Sequence, residues 1–159
     1  MSAGLPHLVR RFFGVLGAVR LSPAEQAEAS RLLEPPERDL FWGQRPADQR
    51  HGLECARAVL GRCPGRPDLA RAALLHDIGK RHAGLGVAGR TTAATLGVLH
   101  LPVKGRFAAY LGHGPAGAAD LEAAGAEAVV VGFARHHHGS RPDHIPAADW
   151  EELCRADCA

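Results

Sequence analysis

An all-α fold is the expectation for this chain, and three observations carry it. Ala and Leu dominate the composition, β-branched runs are scarce, and Val129-Val130-Val131 alone reads like a strand. Apolar residues recur at helical spacing rather than in alternation. Serine, aspartate and proline stand where the helical runs begin. A length of 159 residues suits one domain with one core, a helical bundle preceded by an amphipathic helical segment.

In that segment Leu5, Leu8, Val9, Phe12, Phe13, Leu16 and Val19 form a stripe, with Arg10, Arg11 and Arg20 off it. Residues 5–19 are thus expected to form a helix too short to span a bilayer. It would pack on the body of the domain or on a second subunit, as in a homodimer. An export signal and attachment to a membrane surface are the alternatives, but Ala18-Val19-Arg20 is a poor cleavage site. Ser22-Pro23-Ala24-Glu25 is a capping box that starts a helix running to about Leu33. Pro35-Pro36 is expected to end it, and Glu37 to Trp42 to form a short helical piece. Pro46-Ala47-Asp48 opens a helix to about Arg62 with Leu53, Ala56 and Leu60 on one face and His51 near it. After the loop Cys63-Pro64-Gly65-Arg66, a helix from Pro67 or Asp68 runs into His76-Asp77, where Gly79 is expected to stop it in a left-handed conformation. Residues 81–90 hold three glycines and read as a mobile loop. Thr91 to His100 and Val103 to Leu111 read as helices split by Pro102. His113 starts the next, to about Ala124, and Ala126 to His137 follows with an interruption at Gly132. Gly139 to Pro146 is a loop, and Ala147 to Cys158 the closing helix.

The charge balance excludes some functions. Nineteen basic residues against 17 acidic ones leave a net charge of +2, with no basic block, and aromatic residues are 5% of the chain. Neither a phosphate-tracking stripe nor a stacking platform for nucleic acid is visible. Cys55, Cys63, Cys154 and Cys158 form no CxxC pair. They read as reduced packing thiols, as suits a cytoplasmic protein without stable membrane insertion. The basic residues are almost all Arg, with Lys only at positions 80 and 104.

The chemistry gathers around Ala72-Ala73-Leu74-Leu75-His76-Asp77-Ile78-Gly79-Lys80. A buried helix that ends in adjacent imidazole and carboxylate groups is costly unless something charged sits between them, and a divalent metal is the simplest such object. Alone, the pair could equally be a solvated helix end. The ten histidines of the chain weigh against that reading. In order, the chain offers His51, His76-Asp77, His113, His136-His137-His138 and Asp157, each near a helix end or an inward face. Singly each has an ordinary explanation: a helix cap, a solvated triple histidine, a charge near the C-terminus. Nitrogen and carboxylate ligands without cysteine suit Fe, Mn, Zn or similar ions.

That order resembles the HD-domain superfamily of metal-dependent phosphohydrolases over roughly residues 46–159, leaving residues 1–45 as a helical extension. Arg50-His51 looks like the family's first His, and His76-Asp77-Ile78-Gly79-Lys80 matches the HDIG form of the His-Asp motif. His113-Gly114-Pro115-Ala116-Gly117-Ala118 looks like the third-helix His followed by small residues. His137-His138-Gly139-Ser140 resembles the His-His-Gly-Thr segment of HD proteins that hydrolyse cyclic dinucleotides, with Ser140 in place of Thr. Leu153-Cys154-Arg155-Ala156-Asp157 looks like the last helix. The resemblance implies two divalent transition-metal ions, Fe or Mn first, with Zn, Ni or Co as alternatives. His51, His76, Asp77 and Asp157 would hold one, and His113, His137 and His138 the other, with Asp77 bridging. Which two of His136, His137 and His138 ligate is open, and the register of Gly139-Ser140 favours the last two. Two ions at such spacing can activate a hydroxide for in-line displacement at phosphorus.

The activity implied is a phosphodiesterase or phosphatase acting on a small phosphorylated molecule, a nucleotide above all, with Asp77 and Lys80 as catalytic residues. Arg50, Arg81 and Arg141 are candidate phosphate contacts, although for any one of them ordinary solvated surface is the favoured reading. Two alternatives share the ligand set: a di-iron oxygenase, and a non-catalytic module that senses a nucleotide or metal.

Overall fold

The computed structural model describes residues 20–99 and 101–158, and within them it is entirely helical, with no strand. The stripe expected over residues 5–19 lies outside the described residues. The elements are α1 (Pro23–Leu32), α2 (Pro35–Trp42), α3 (Pro46–Arg62), α4 (Pro67–Leu75), a 3₁₀ helix (Ile78–Ala83), α5 (Val87–Val98), α6 (Gly105–Leu111), α7 (His113–Ala123), α8 (Ala128–His136) and α9 (Ala147–Asp157). Among the described residues no helix is long and apolar enough to cross a membrane.

The bundle is built around α4. Leu69 through Leu75 are all buried, including Arg71. A helix covered on every side belongs at the centre of a core. It packs against α3, α8, α9 and α1. Leu21, Ala29, Leu33 and Phe41 lie in the same buried cluster as Leu53, Leu74, Phe133, Ile145 and Leu153. Arg71 stays charged in that setting because Glu34 (3.0 Å) and Glu127 (2.6 Å) reach its guanidinium from α2's entry and α8's entry. A smaller cluster of Ala83, Leu85 and Ala93, flanked by Phe107 and Tyr110, joins α5 and α6 to the 3₁₀ helix.

Several boundaries follow their residues closely. Ser22 caps α1 through the expected reciprocal pair, its hydroxyl accepting from the Glu25 amide and the Glu25 carboxylate accepting from the Ser22 amide. Others differ from the sequence expectation. Pro35 and Pro36 start α2 instead of ending α1, because proline fits the first helical turn, where no amide hydrogen is needed; Glu34 and Glu37 cap that start. Residues 81–90 are not a loop: the 3₁₀ helix runs to Ala83 and α5 begins at Val87. Burial of Ala83, Leu85 and Arg90 fixes them, with Arg90 held in a two-pronged ion pair by Asp48 (2.6 and 2.7 Å). Val129-Val130-Val131 is helical and Gly132 does not interrupt α8. The left-handed residue after the His-Asp turn is Gly84 (φ 57°), not Gly79.

Candidate metal centre

Gly79 is needed for closeness rather than for its dihedrals. A Cβ there would lie 2.0 Å from the His113 carbonyl oxygen, so the 3₁₀ helix and α7 touch backbone to backbone. The same device recurs beside two other histidines. A Cβ on Gly52 would meet the Leu74 carbonyl at 2.5 Å, and one on Gly114 would meet those of Ala134 and Arg135 at 2.9 and 2.8 Å. Three contacts without side chains therefore draw α3 onto α4, the His-Asp turn onto α7, and α7 onto α8. His51, Asp77 and His113 each sit within two residues of one of them.

Orientation comes from helix ends. His76 and His137 follow directly on the last residues of α4 and α8, and His113 follows α6 after Gly112. In each case Nδ1 lies against the carbonyl oxygen three residues back: Ala73 at 2.8 Å, Tyr110 at 2.7 Å and Ala134 at 2.9 Å. These belong to the last carbonyls of their helices, which lack intrahelical partners. A carbonyl oxygen only accepts, so Nδ1 carries the hydrogen in all three rings. Each Nε2 is then left to face inward with a lone pair, the arrangement that suits an imidazole to a metal. The C-terminal ends of the helices also favour positive charge at this point.

The inward atoms meet at Asp77, whose backbone lies in the bridge region (φ −99°, ψ 4°). His113 Nε2 is 2.9 Å and His137 Nε2 3.6 Å from Asp77 Oδ1, and the two ring nitrogens are 3.2 Å apart. His138 joins them with its ring centroid 4.0 Å from that of His137, and keeps an exposed edge. On the other side His76 Nε2 is 3.4 Å from Asp77 Oδ2 and 3.1 Å from Asp157 Oδ1, while His51 Nε2 is 3.2 Å from Asp157 Oδ1. Ligand-sized groups therefore form on both sides: Asp77 with His113, His137 and His138, and Asp77 with His51 and His76. Donors bound to one ion at about 2.0–2.3 Å stand roughly 3.0–3.7 Å from each other, and all of these spacings but the 2.9 Å between His113 and Asp77 fall in that range.

The electrostatics match a cation site. Burial works against ionising Asp77, but the positive charges beside it, His76 first and then Lys80, overcome it and hold its carboxyl well below the usual range. Asp157 is likewise held far below it, burial being outweighed by His76 and His51. Burial opposes charge on His76, and the two carboxylates reverse that and raise its affinity for a proton. His137 and His138 are pushed the other way, mainly by burial, and stay neutral donors. His76 Nε2 is fully buried and, although 3.1 Å from Asp157 Oδ1, is not aligned with it as a hydrogen bond. Buried His and Asp groups here can hold a metal ion.

The structure thus brings His51, His76, Asp77, His113, His137, His138 and Asp157 together. Lys80 joins them, its Nζ donating to Asp77 Oδ2, whereas the sequence reading sent it to a substrate phosphate. The three arginines are engaged otherwise: Arg50 by Glu25 (3.0 Å), Arg81 by Asp120 (2.9 Å), and Arg141 by the Ile145 carbonyl (2.6 Å). His136 lines a surface groove with Val131, Gly132 and His144. One residue escaped the sequence reading. Cys55, taken there as a packing thiol, lies with Sγ 3.6 Å from His51 Nε2 and forms a group with His51 and Asp157. Its position four residues after His51 on a helix was the available signal. Compared with known proteins, the chain matches no family model, no curated protein and no solved structure.

Proposed function

We propose that this chain is a metal-dependent phosphohydrolase of HD type, holding two divalent ions and cleaving a phosphoester in a small molecule such as a nucleotide. The observation that carries the reading is the position of Asp77. Its two carboxylate oxygens face separate sets of imidazoles, Oδ1 toward His113 and His137 and Oδ2 toward His76. One carboxylate shared in that way is what a bridged pair of ions requires. His51, His76, Asp77 and Asp157 would hold one, and Asp77, His113, His137 and His138 the other. Iron or manganese is the first choice, and zinc, nickel or cobalt also suit nitrogen and oxygen donors. Such a pair supplies Lewis acidity to a water nucleophile and to the phosphoryl oxygens.

The chain's own residues do the rest. The Nδ1 hydrogen bonds fix the rings before any ion arrives, so little ordering is left to the binding step. Ions on Asp77 would compete with Lys80 for the carboxylate and free its ammonium for the charge that develops on a phosphoryl group. His138, with its exposed edge, marks the side on which a substrate can approach.

Elemental analysis of protein purified without a polyhistidine tag, followed by a hydrolysis screen over a nucleotide panel, tests the reading. Close to two transition-metal ions per chain are expected, and about one in His113→Ala. A single ion in the unaltered protein would reduce the site to a mononuclear one. Two irons with a mixed-valence signal and no hydrolysis would favour the oxygenase. Tight nucleotide binding without turnover would make it a sensor.

A further inference from the structure

We propose that Arg90, held by Asp48, is a positioning residue of the metal centre: the pair fixes Tyr110, and through it His113, relative to the helix that carries His51. The inference rests on the metal-centre reading above and concerns residues outside its ligand set. Asp48 and Arg90 are both buried. Nη1 and Nη2 of the guanidinium donate to the two carboxylate oxygens at 2.6 and 2.7 Å, and Nε donates to the Leu85 carbonyl at 3.2 Å. A planar fork bound along two edges has one orientation. Asp48 stands on α3 one turn before His51, so the guanidinium is anchored to a ligand-bearing helix.

The same guanidinium lies over the Tyr110 ring, its central carbon 5.6 Å from the ring centroid. Tyr110 is the residue whose carbonyl oxygen accepts from His113 Nδ1 at 2.7 Å. Its ring also takes Lys80, with Nζ 5.9 Å from the centroid, and Lys80 donates to Asp77. From Asp48 the contacts therefore run to Arg90 and Tyr110, and from Tyr110 to both His113 and the lysine on Asp77.

Apolar packing does not make this connection. The buried cluster that joins α5 and α6 to the 3₁₀ helix is Ala83, Leu85 and Ala93, flanked by Phe107 and Tyr110, and it includes no residue of α3. Nor is stability what a buried ion pair supplies best. Desolvation of the two charges offsets most of their attraction, and apolar residues of similar volume often do as well. What the fork supplies is a fixed distance and direction between two backbones. His113 needs both, since a ligand set works only when its members are held within about 0.5 Å of the productive geometry.

The test is proton NMR of the metal-free full chain, followed by titration with Zn(II). The Nδ1 protons held by Ala73, Tyr110 and Ala134 are expected as three downfield signals, and their comparison with His113→Ala assigns that of His113. Arg90→Lys keeps the charge and loses the fork; Asp48→Asn with Arg90→Met removes both charges and keeps the bulk. In each, the His113 signal is expected to broaden or vanish by exchange with water while those of His76 and His137 stay sharp. Zn(II) affinity is expected to fall by about tenfold or more, as when a group that orients a ligand is lost. A sharp His113 signal and unchanged affinity in both variants would overturn the proposal and leave the metal centre standing. Equal broadening of all three signals would overturn it too, because the pair would then serve the whole fold. No Zn(II), Mn(II) or Fe(II) binding by the unaltered chain would refute the metal reading itself, an outcome kept separate because the signals are read without metal. The unaltered chain also gives a test that needs no variant to fold. Its Arg90 Nε proton should exchange slowly and show a nuclear Overhauser contact to the Tyr110 ring, and fast exchange without that contact would overturn the proposal.

Discussion

Lys80 donates to Asp77 and is itself buried, so in the absence of ions it is the chain's own cation in the centre. Removing one partner from a buried ion pair costs about 3–5 kcal/mol, and His76 and His113 remain to share the loss here. Lys80→Ala should therefore lower the melting temperature of metal-free protein markedly and that of loaded protein little. The thermal shift on adding Mn(II) or Fe(II) should exceed that of the unaltered chain. Turnover should fall about a hundredfold if the ammonium also meets the phosphoryl charge. Failure of Lys80→Ala to bind metal would show that the lysine positions Asp77 instead. A second buried charge gives a prediction in pH. Burial raises the affinity of Glu37 for its proton, against the opposing pull of the Glu34 amide and Arg71. A raised acid contributes stability below its unfolded value of about 4.3 and loses it as pH rises through the folded value. Glu37→Gln keeps the capping geometry and cannot titrate. Its melting temperature should thus gain on that of the unaltered chain between pH 4 and pH 7, and a constant difference across that window would refute the assignment.

At the scale of elements, glycine contacts decide how near the ligand-bearing helices come. Gly114→Ala places a methyl 2.8–2.9 Å from two carbonyl oxygens of α8. Backbone cannot yield as a side chain can, so α7 must shift, at a cost of about 1–3 kcal/mol. His113 would leave His137, and metal content should fall below that of the unaltered chain. Gly61→Ala, in α3 with nothing within 4 Å, should instead raise stability by about 0.5–1 kcal/mol without touching metal content. Equal metal loss in both variants would deny that the contact positions the site. Much of this architecture was legible because it is local: the Ser22 box, Pro46 and Pro67 state where helices start. The histidines were legible as a set because each closes or follows a helical run. What escaped was tertiary. Whether Pro35-Pro36 ends α1 or opens α2 depends on the Glu34–Glu37 exchange and on Arg71 beneath it. Gly79 signals a turn in sequence, and only the approach of His113 shows that it is a contact. Arg50 and Arg81 read as phosphate contacts or ordinary surface until Glu25 and Asp120 arrive from other helices.

Across the whole molecule, the candidate ligands come from α3, the ends of α4 and α8, the start of α7, and α9, with His51 and Asp157 106 residues apart in the chain. No unfolded chain presents these groups together, so an ion that binds them binds the native state almost alone. Stabilisation should then follow mass action, about 2.7 kcal/mol at a free metal concentration one hundred times the dissociation constant. For a chain of this size that corresponds to roughly 5–10 °C in melting temperature. Chelation should lower the melting temperature by that amount, and titration with Fe(II), Mn(II) or Zn(II) should restore it in a concentration-dependent way. Asp157→Ala removes the only tie to α9 in the ligand set and should abolish most of the response. Replacing a carboxylate that two buried histidines face also removes their counter-charge, so the variant's metal-free stability will fall on its own account. The decisive quantity is therefore the metal-dependent increment within each protein. An increment in Asp157→Ala equal to that of the unaltered chain would place the ion elsewhere. No increment in the unaltered chain would mean that the convergence of five elements on Asp77 serves a purely structural ion-pair network.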